Sequence, residues 1–68
     1  MSNDAAAMFG KPYLTVQETA ELLHMSRWKV FDLLRTGDLP SFKPGRHRLI
    51  PAAGLHSFVS QRLDEEAA

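Results

Sequence analysis

The sequence predicts a small, mainly α-helical domain with three helices and one two-stranded β-hairpin. Three observations lead to this: two capped amphipathic segments in close succession, a Pro-Gly turn between two short apolar runs, and an apolar stripe near the carboxyl end. A chain of 68 residues folds as one domain and leaves little interior for a buried active site.

The second predicted helix, between Ser26 and Gly37, organises the rest of the chain. Ser26 suits the N-cap because its hydroxyl can accept a hydrogen bond from the first turn, and Gly37 suits a left-handed C-cap. The apolar residues recur at i, i+3 and i+4, which predicts one buried stripe of Val30, Leu33 and Leu34.

The opposite face of this helix is basic and aromatic. It carries Trp28, Asp32 and Arg35, with Lys29 and Thr36 beside them and Arg27 and Phe31 on one flank. A short helix with an apolar back and such a front needs a partner, and nucleic acid is the leading candidate.

The first helix is predicted from Thr15 to about Leu23. Thr15 and Glu18 fit the capping-box pattern, and the expected buried positions are Val16, Ala20 and Leu23. His24 is expected in the turn, at positive φ. Since only His24 and Met25 separate the two helices, they must cross steeply, which is a helix-turn-helix.

The hairpin is predicted from residues 41–43 and 48–50 around a type II turn with Pro44 at i+1 and Gly45 at i+2. Phe42 and Ile50 are expected to face inward. The tip carries Lys43, Gly45, Arg46, His47 and Arg48, which is too much charge for a core and suits a groove.

A third helix is expected to begin at Pro51, with Gly54 weakening its first turn by roughly 1 kcal/mol. Its expected buried stripe consists of Leu55, Phe58, Val59 and Leu63. The domain is therefore assigned to residues 13–63, between a flexible N-terminal arm, 1–12, and a frayed acidic tail, 64–68.

The net charge is zero, but its distribution is uneven. Residues 27–48 hold six Lys or Arg against two Asp, whereas the two flanks together hold two Lys or Arg against six Asp or Glu. A central basic block of this kind creates a local positive field despite the neutral total.

Several classes of function have no support in the residues. The chain has no cysteine, and His24, His47 and His56 lie on separate elements, so no metal, cofactor or catalytic activity is expected. No signal peptide or apolar run of membrane-spanning length is present, which predicts a cytoplasmic protein without membrane or small-molecule partners.

A series of segments then carries a resemblance to a known family. They are Leu14–Leu23, Met25–Arg27, Val30-Phe31, Leu33-Leu34, Gly37–Pro40, Gly45–Arg48 and Ile50-Pro51. In this order they resemble the excisionase family, the small MerR-like domains of phage and plasmid excisionases and some actinobacterial regulators.

The resemblance implies a winged helix-turn-helix, with the second helix in the DNA major groove and the hairpin wing in an adjacent minor groove. It implies phosphate and base contacts by Ser26 and Arg27, and wing contacts by Gly45, Arg46, His47 and Arg48. The chain departs from the family pattern at His24, Trp28, Lys29, Asp32 and Leu49, which bears on the target sequence more than on the fold.

Three positions on the second helix keep alternative interpretations. Trp28 belongs either to the core or to the exposed front, where it could pack on sugar, on thymine methyl groups or on another copy. Phe31 belongs either to the core edge or to the DNA backbone. Asp32 either accepts from a cytosine amino group or orients Arg27 or Arg35.

The expected function is that of a DNA-bending excisionase that binds attachment-site DNA cooperatively, with copies arranged head to tail, and directs an integrase toward excision at the bacterial nucleoid. A small transcription regulator is the alternative with the same DNA contacts. A protein-interaction adaptor using Trp28 and the acidic tail is the alternative of another class, and it would keep its activity when Arg27 or Arg46 is replaced.

Overall fold

The computed structural model describes residues 4–67. Its elements in chain order are α1 (Asp4–Phe9), β1 (Tyr13–Thr15), α2 (Val16–Leu23), α3 (Arg27–Thr36), β2 (Leu49–Pro51) and α4 (Ala52–Ala67). Helices α2 and α3 form a helix-turn-helix, and residues 41–48, here called the wing, extend beside it. The prediction of a mainly α winged helix-turn-helix is confirmed.

The ends of α2 and α3 follow the local capping rules. Thr15 Oγ1 accepts from the backbone N–H of Glu18 at 3.0 Å, and the Glu18 carboxylate accepts from the backbone N–H of Thr15 at 2.9 Å. His24 ends α2 at a φ of 56°, and Gly37 ends α3 at a φ of 86°. The predicted capping box and both left-handed caps are therefore confirmed, and they fix where the two helices begin and end.

The carboxylate of Glu18 also accepts a hydrogen bond from the Lys11 ammonium. Together with the Thr15 backbone N–H, this ammonium holds the pKa of Glu18 below its ordinary value. A lowered pKa in the folded state contributes stability above the unfolded carboxyl pKa, and the contribution is lost as pH falls through the folded pKa.

Replacing Glu18 with glutamine is expected to lower the free energy of unfolding by about 0.5–1 kcal/mol at neutral pH, because glutamine keeps the cap but loses the charge. At a pH low enough to protonate Glu18, the two proteins should be equally stable. Urea denaturation at both pH values measures the difference. Glu65→Gln is a change of the same type at an exposed position of α4 and should leave stability unchanged at both pH values. If E18Q and wild type still differed in stability at low pH, the charge of Glu18 would not be the cause of the difference.

The sheet differs from the predicted hairpin. Strand β2 pairs antiparallel with β1, with Leu14 opposite Ile50, and both side chains are buried. The wing is joined to β2 only by a bridge between Phe42 and Leu49, whose backbone hydrogen bonds measure 2.9 and 2.7 Å. The predicted antiparallel contact between the two runs is therefore present only at this bridge, because β2 forms its ladder with β1.

Two further details of the wing differ from the sequence-based expectation. Phe42 is 40% exposed and packs edge-on against Tyr13, at 5.3 Å between ring centroids, instead of facing inward with Ile50. Gly45 does not have a positive φ, so the predicted type II turn is absent. Because the bridge joins Phe42 to Leu49, the residues between them can form a wide loop, and a tight turn is not needed to connect them.

The core lies between the two strands and the helices. Its central cluster consists of Leu14, Leu33, Leu39, Ile50 and Leu55. Val30 and Ala20 are buried as predicted, whereas Val16, Leu23, Met25, Leu34, Phe58 and Val59 are half-buried around the cluster. Leu63, predicted in the buried stripe of α4, is 64% exposed because this helix runs past the edge of the core.

Within residues 4–67, both flanks of the domain are more regular than the sequence predicted; residues 1–3 of the predicted arm and residue 68 of the predicted tail lie outside the described residues. Helix α1 occupies part of the expected flexible arm and packs on α4, with Phe9 against the core. Its alanines favour helix, but six residues are too few to be stable alone, so the contact with α4 is needed. Helix α4 continues through the acidic residues to Ala67, where fraying was expected.

A close contact joins the exit of α3 to the start of α4. Leu39 is 1% exposed, and its backbone N–H donates to the Leu33 carbonyl at 3.2 Å. A methyl group added at Gly54 would lie 3.2 Å from Cδ of Pro40 and closer still to Cγ. Glycine at this position therefore lets the proline ring lie directly on α4.

Candidate nucleic-acid interface

Helix α3 presents a fixed face because both of its ends and its back are held. Ser26 Oγ accepts from the backbone N–H of Lys29 at 3.1 Å, and the Gly37 N–H donates to the Leu34 carbonyl at 3.2 Å. Val30 is fully buried and Leu33 is 7% exposed. The caps and the buried stripe therefore set the direction in which the remaining side chains of α3 project.

An open groove of about 560 Å³ runs between the start of α2, one flank of α3 and the wing. Phe31 lines it, and the groove collects the basic and imidazole side chains Arg27, Lys43, Arg46, His47 and Arg48. The flank of α3 and the wing are far apart in sequence, and the bridge at Phe42 and Leu49 brings them to the same side. Arg27 of α3 and the basic and imidazole side chains of the wing thus form one surface, which we call the basic groove.

The cations of the basic groove are not neutralised by the protein's own acids. Among the side chains of residues 6–67, the ion pairs join Lys11 to Glu18 and Arg35 to Asp32. Arg48 donates to Ser41 Oγ at 3.0 Å, a neutral partner that holds the side chain without cancelling its charge. An anion that entered this groove would meet several uncompensated positive charges.

The outward face of α3 has a different character. Trp28 is 76% exposed, so of its two interpretations the exposed one is confirmed. Asp32 accepts from the Arg35 guanidinium, which decides which arginine it holds. Lys29 is exposed but does not line the basic groove, and its position on α3 lies away from the flank that faces the wing.

Phe31 lies between the two surfaces of α3. It is 47% exposed and lines the basic groove while its neighbour Val30 is fully buried. One part of its ring is therefore available to a ligand, and the other part is covered by the protein.

Sequence reasoning missed the start of α2 as part of this surface. Thr15, Val16 and Gln17 line the basic groove opposite the wing. The capping box marked Thr15 as a helix start, but only the pairing of β1 with β2 brings that start beside the wing.

Neither a metal-binding cluster nor a membrane-spanning helix is found in the part of the chain that the structure describes. Between residues 6 and 67, where side chains are described, no three His, Asp or Glu come close enough together to hold a metal ion. Within the same range, no helix combines the length and the apolar character needed to cross a membrane.

The comparisons with known proteins agree with this architecture. A family model described as a helix-turn-helix domain matches residues 13–63. A protein of Streptomyces ambofaciens named as an excisionase is 38% identical over 52 residues, which cover 76% of this chain and 84% of the relative. The chain belongs to the excisionase family of helix-turn-helix proteins.

Other relatives of this excisionase-family protein are longer. A protein of Saccharopolyspora erythraea, named as a candidate excisionase, is 31% identical over 55 residues, 81% of this chain and 56% of its own length. A protein of Mycobacterium tuberculosis, named as a candidate antitoxin, VapB50, is 51% identical over 55 residues, 81% of this chain and 42% of its own length. The chain thus spans about half the length of these two relatives.

No solved structure gives a significant match to this excisionase-family chain.

Proposed function

We propose that this protein is a DNA-binding and DNA-bending excisionase, which binds double-stranded attachment-site DNA and directs an integrase toward excision of phage or plasmid DNA. The observation that carries the proposal is the basic groove, where Arg27 of α3 meets Arg46 and Arg48 of the wing without carboxylate partners. The names of two relatives support the excision role.

Helix α3 enters the major groove in this proposal. Arg27, in its first turn, pairs with guanine O6 and N7, and Lys29 contacts phosphate. The exposed ring of Trp28 packs on sugar or on thymine methyl groups. Ser26 uses its Oγ to accept the cap hydrogen bond, which leaves its hydroxyl proton for a phosphate oxygen.

The wing reaches the adjacent minor groove or its phosphates. Arginine in a narrow minor groove responds to groove width, so Arg46 and Arg48 would read shape more than base identity. Lys43 and His47 flank them, and Gly45 keeps the tip free of a side chain. A wing inserted beside a bound α3 favours a bend in the duplex.

Several copies on neighbouring sites complete the proposal. One domain of this size covers at most ~1,000 Å² of DNA-facing surface, which limits the affinity of a single copy. Asp64, Glu65 and Glu66 are exposed at the end of α4, and this acidic end of one copy suits the basic block of the next in a head-to-tail array.

A pair of variants tests the two DNA-contacting elements. Arg27→Ala is expected to cost ~1–3 kcal/mol on the preferred sequence and to relax specificity at one base pair. Arg46→Ala is expected to weaken binding to all sequences alike and to reduce the slope of log K against log salt by about one. Binding to a selected duplex and to a shuffled duplex of the same composition, over a salt series, measures both effects.

Arg62→Ala is the matched control, because Arg62 lies on α4 over the ring of Phe58, away from the basic groove. It should leave specificity unchanged. Unaltered DNA binding by both R27A and R46A would contradict the proposal and favour the adaptor function.

An excision assay with integrase and attachment-site DNA tests the excision role itself. Footprints at rising protein concentration test cooperativity, because independent filling of single sites would exclude it.

A transcription regulator is the second candidate. It is favoured by the relative that is 51% identical to this chain, because that relative is named as an antitoxin and not as an excisionase. The same α3 and wing contacts would serve both functions. DNA binding that controls a promoter but leaves integrase-dependent excision unaffected would establish regulation.

A further inference from the structure

The outward face of α3 carries an acid where a DNA-binding surface usually carries cations. Asp32 and Arg35 form an ion pair on successive turns, with side chains 33% and 73% exposed, respectively. Trp28, one turn before Asp32, is 76% exposed. The pair therefore stands on the part of α3 that would face the bases, beside an exposed aromatic ring.

The pair changes the charge that α3 offers to DNA. While Asp32 accepts from the Arg35 guanidinium, Arg35 does not act as a free cation toward phosphate. The carboxylate itself repels the DNA backbone. A duplex of arbitrary sequence is thus attracted mainly by the basic groove and by Lys29, and the ion pair on the outward face of α3 adds no net attraction.

The carboxylate also has an unused acceptor. Asp32 Oδ1 accepts from Arg35, and no side chain of residues 6–67 donates to Oδ2. In the major groove, the amino group of cytosine is a donor suited to a carboxylate oxygen. A base pair that presents this donor would satisfy Oδ2, whereas other base pairs would leave this oxygen desolvated and without a donor.

We propose that Asp32 is a specificity-determining residue, which weakens binding to DNA in general and is tolerated only where a cytosine amino group meets its free oxygen. Arg35 is the positioning residue in this arrangement, because the ion pair holds the carboxylate at a fixed place on α3. The inference rests on the proposed DNA-binding function and adds to it the base that α3 selects.

Asp32→Asn tests the inference. The variant is expected to bind a shuffled duplex about three- to tenfold more tightly, with a salt slope steeper by about one, because Arg35 becomes a free cation. Its preference for a selected duplex over the shuffled one should fall about tenfold. Selection from a random duplex library, repeated with D32N, should lose the preference for cytosine at one position.

Three comparisons separate this role from a general effect of charge or folding. Asp64→Asn makes the same change of net charge on α4. On a duplex long enough for one copy only, where no neighbouring copy can meet this acidic end, it should reproduce none of these effects. In an Arg35→Gln background, D32N should change the salt slope much less. Thermal unfolding should be nearly unchanged in D32N, because an exposed ion pair contributes little to stability.

The results that would overturn the inference differ from those that would overturn DNA binding. If wild type selects a sequence but D32N selects the same sequence with the same salt slope, Asp32 has no role in specificity and the proposed function stands. The same holds if D64N matches D32N. If wild type selects no sequence at all, the proposed function fails, and this inference fails with it.

Discussion

Replacing Leu39 with alanine is expected to lower the free energy of unfolding by about 2–5 kcal/mol, the usual range for a buried leucine. Leu39 is 1% exposed and belongs to the central cluster with Leu14, Leu33, Ile50 and Leu55. A domain of 68 residues has a total stability on the order of 3–10 kcal/mol. The variant should therefore lose a large share of its stability, which a lower midpoint in a urea titration followed by circular dichroism would show.

The matched control for L39A is Leu63→Ala. Leu63 undergoes the same chemical change but is 64% exposed on α4. Its replacement should change stability by at most about 0.5 kcal/mol. Equal losses in the two variants would show that Leu39 is not part of the core cluster.

Replacing Gly54 with alanine is expected to destabilise the protein by about 1–3 kcal/mol, because the added methyl group overlaps the ring of Pro40. Helix propensity alone predicts the opposite sign, a gain of about 1 kcal/mol when glycine becomes alanine within a helix. The sign of the change therefore reports the contact between Pro40 and α4. Thermal and urea unfolding would measure it.

A second background isolates the contact for G54A. With Pro40→Ala already present, the ring is gone and Gly54→Ala should become neutral or stabilising. A double-mutant cycle of the two changes gives their coupling. A rise in the melting temperature of G54A in the wild-type background would show that the proline ring does not lie on α4.

Short-range rules accounted for the helix-turn-helix. The caps at Thr15, Ser26, His24 and Gly37 each depend on residues within one turn, so a sequence pattern contains all that decides them. The exposure of Trp28 followed from the same 3.6-residue period that buried Val30 and Leu33.

Long-range packing decided what the sequence did not reveal. The partner of β2 could not be predicted because local runs favoured the wing, whereas the buried pair of Leu14 and Ile50 lies far apart in sequence. Gly54 was interpreted as a weak point of the helix, because nothing local indicates a proline ring against it. Leu63 followed the helical period but lies beyond the core.

The candidate site shows the same division between local and distant effects. The identity of its basic residues was clear from the sequence, and the structure brings Arg27 and four wing side chains to one groove. Lys29 falls outside that groove although its place on α3 is close to Arg27 in sequence. The start of α2 was missed because only tertiary structure brings it opposite the wing.

The antiparallel pairing of β1 with β2 joins the two ends of the segment between Tyr13 and Pro51. Changes in sequence at the tip of the wing leave these two ends paired, and the helices packed on them keep their angles. The wing can thus vary separately from the rest of the domain. Insertions, deletions and charge changes between Lys43 and Arg48 can accumulate without altering the fold of the helices. The surface carried by α3 and the surface carried by the wing can diverge independently as the protein evolves.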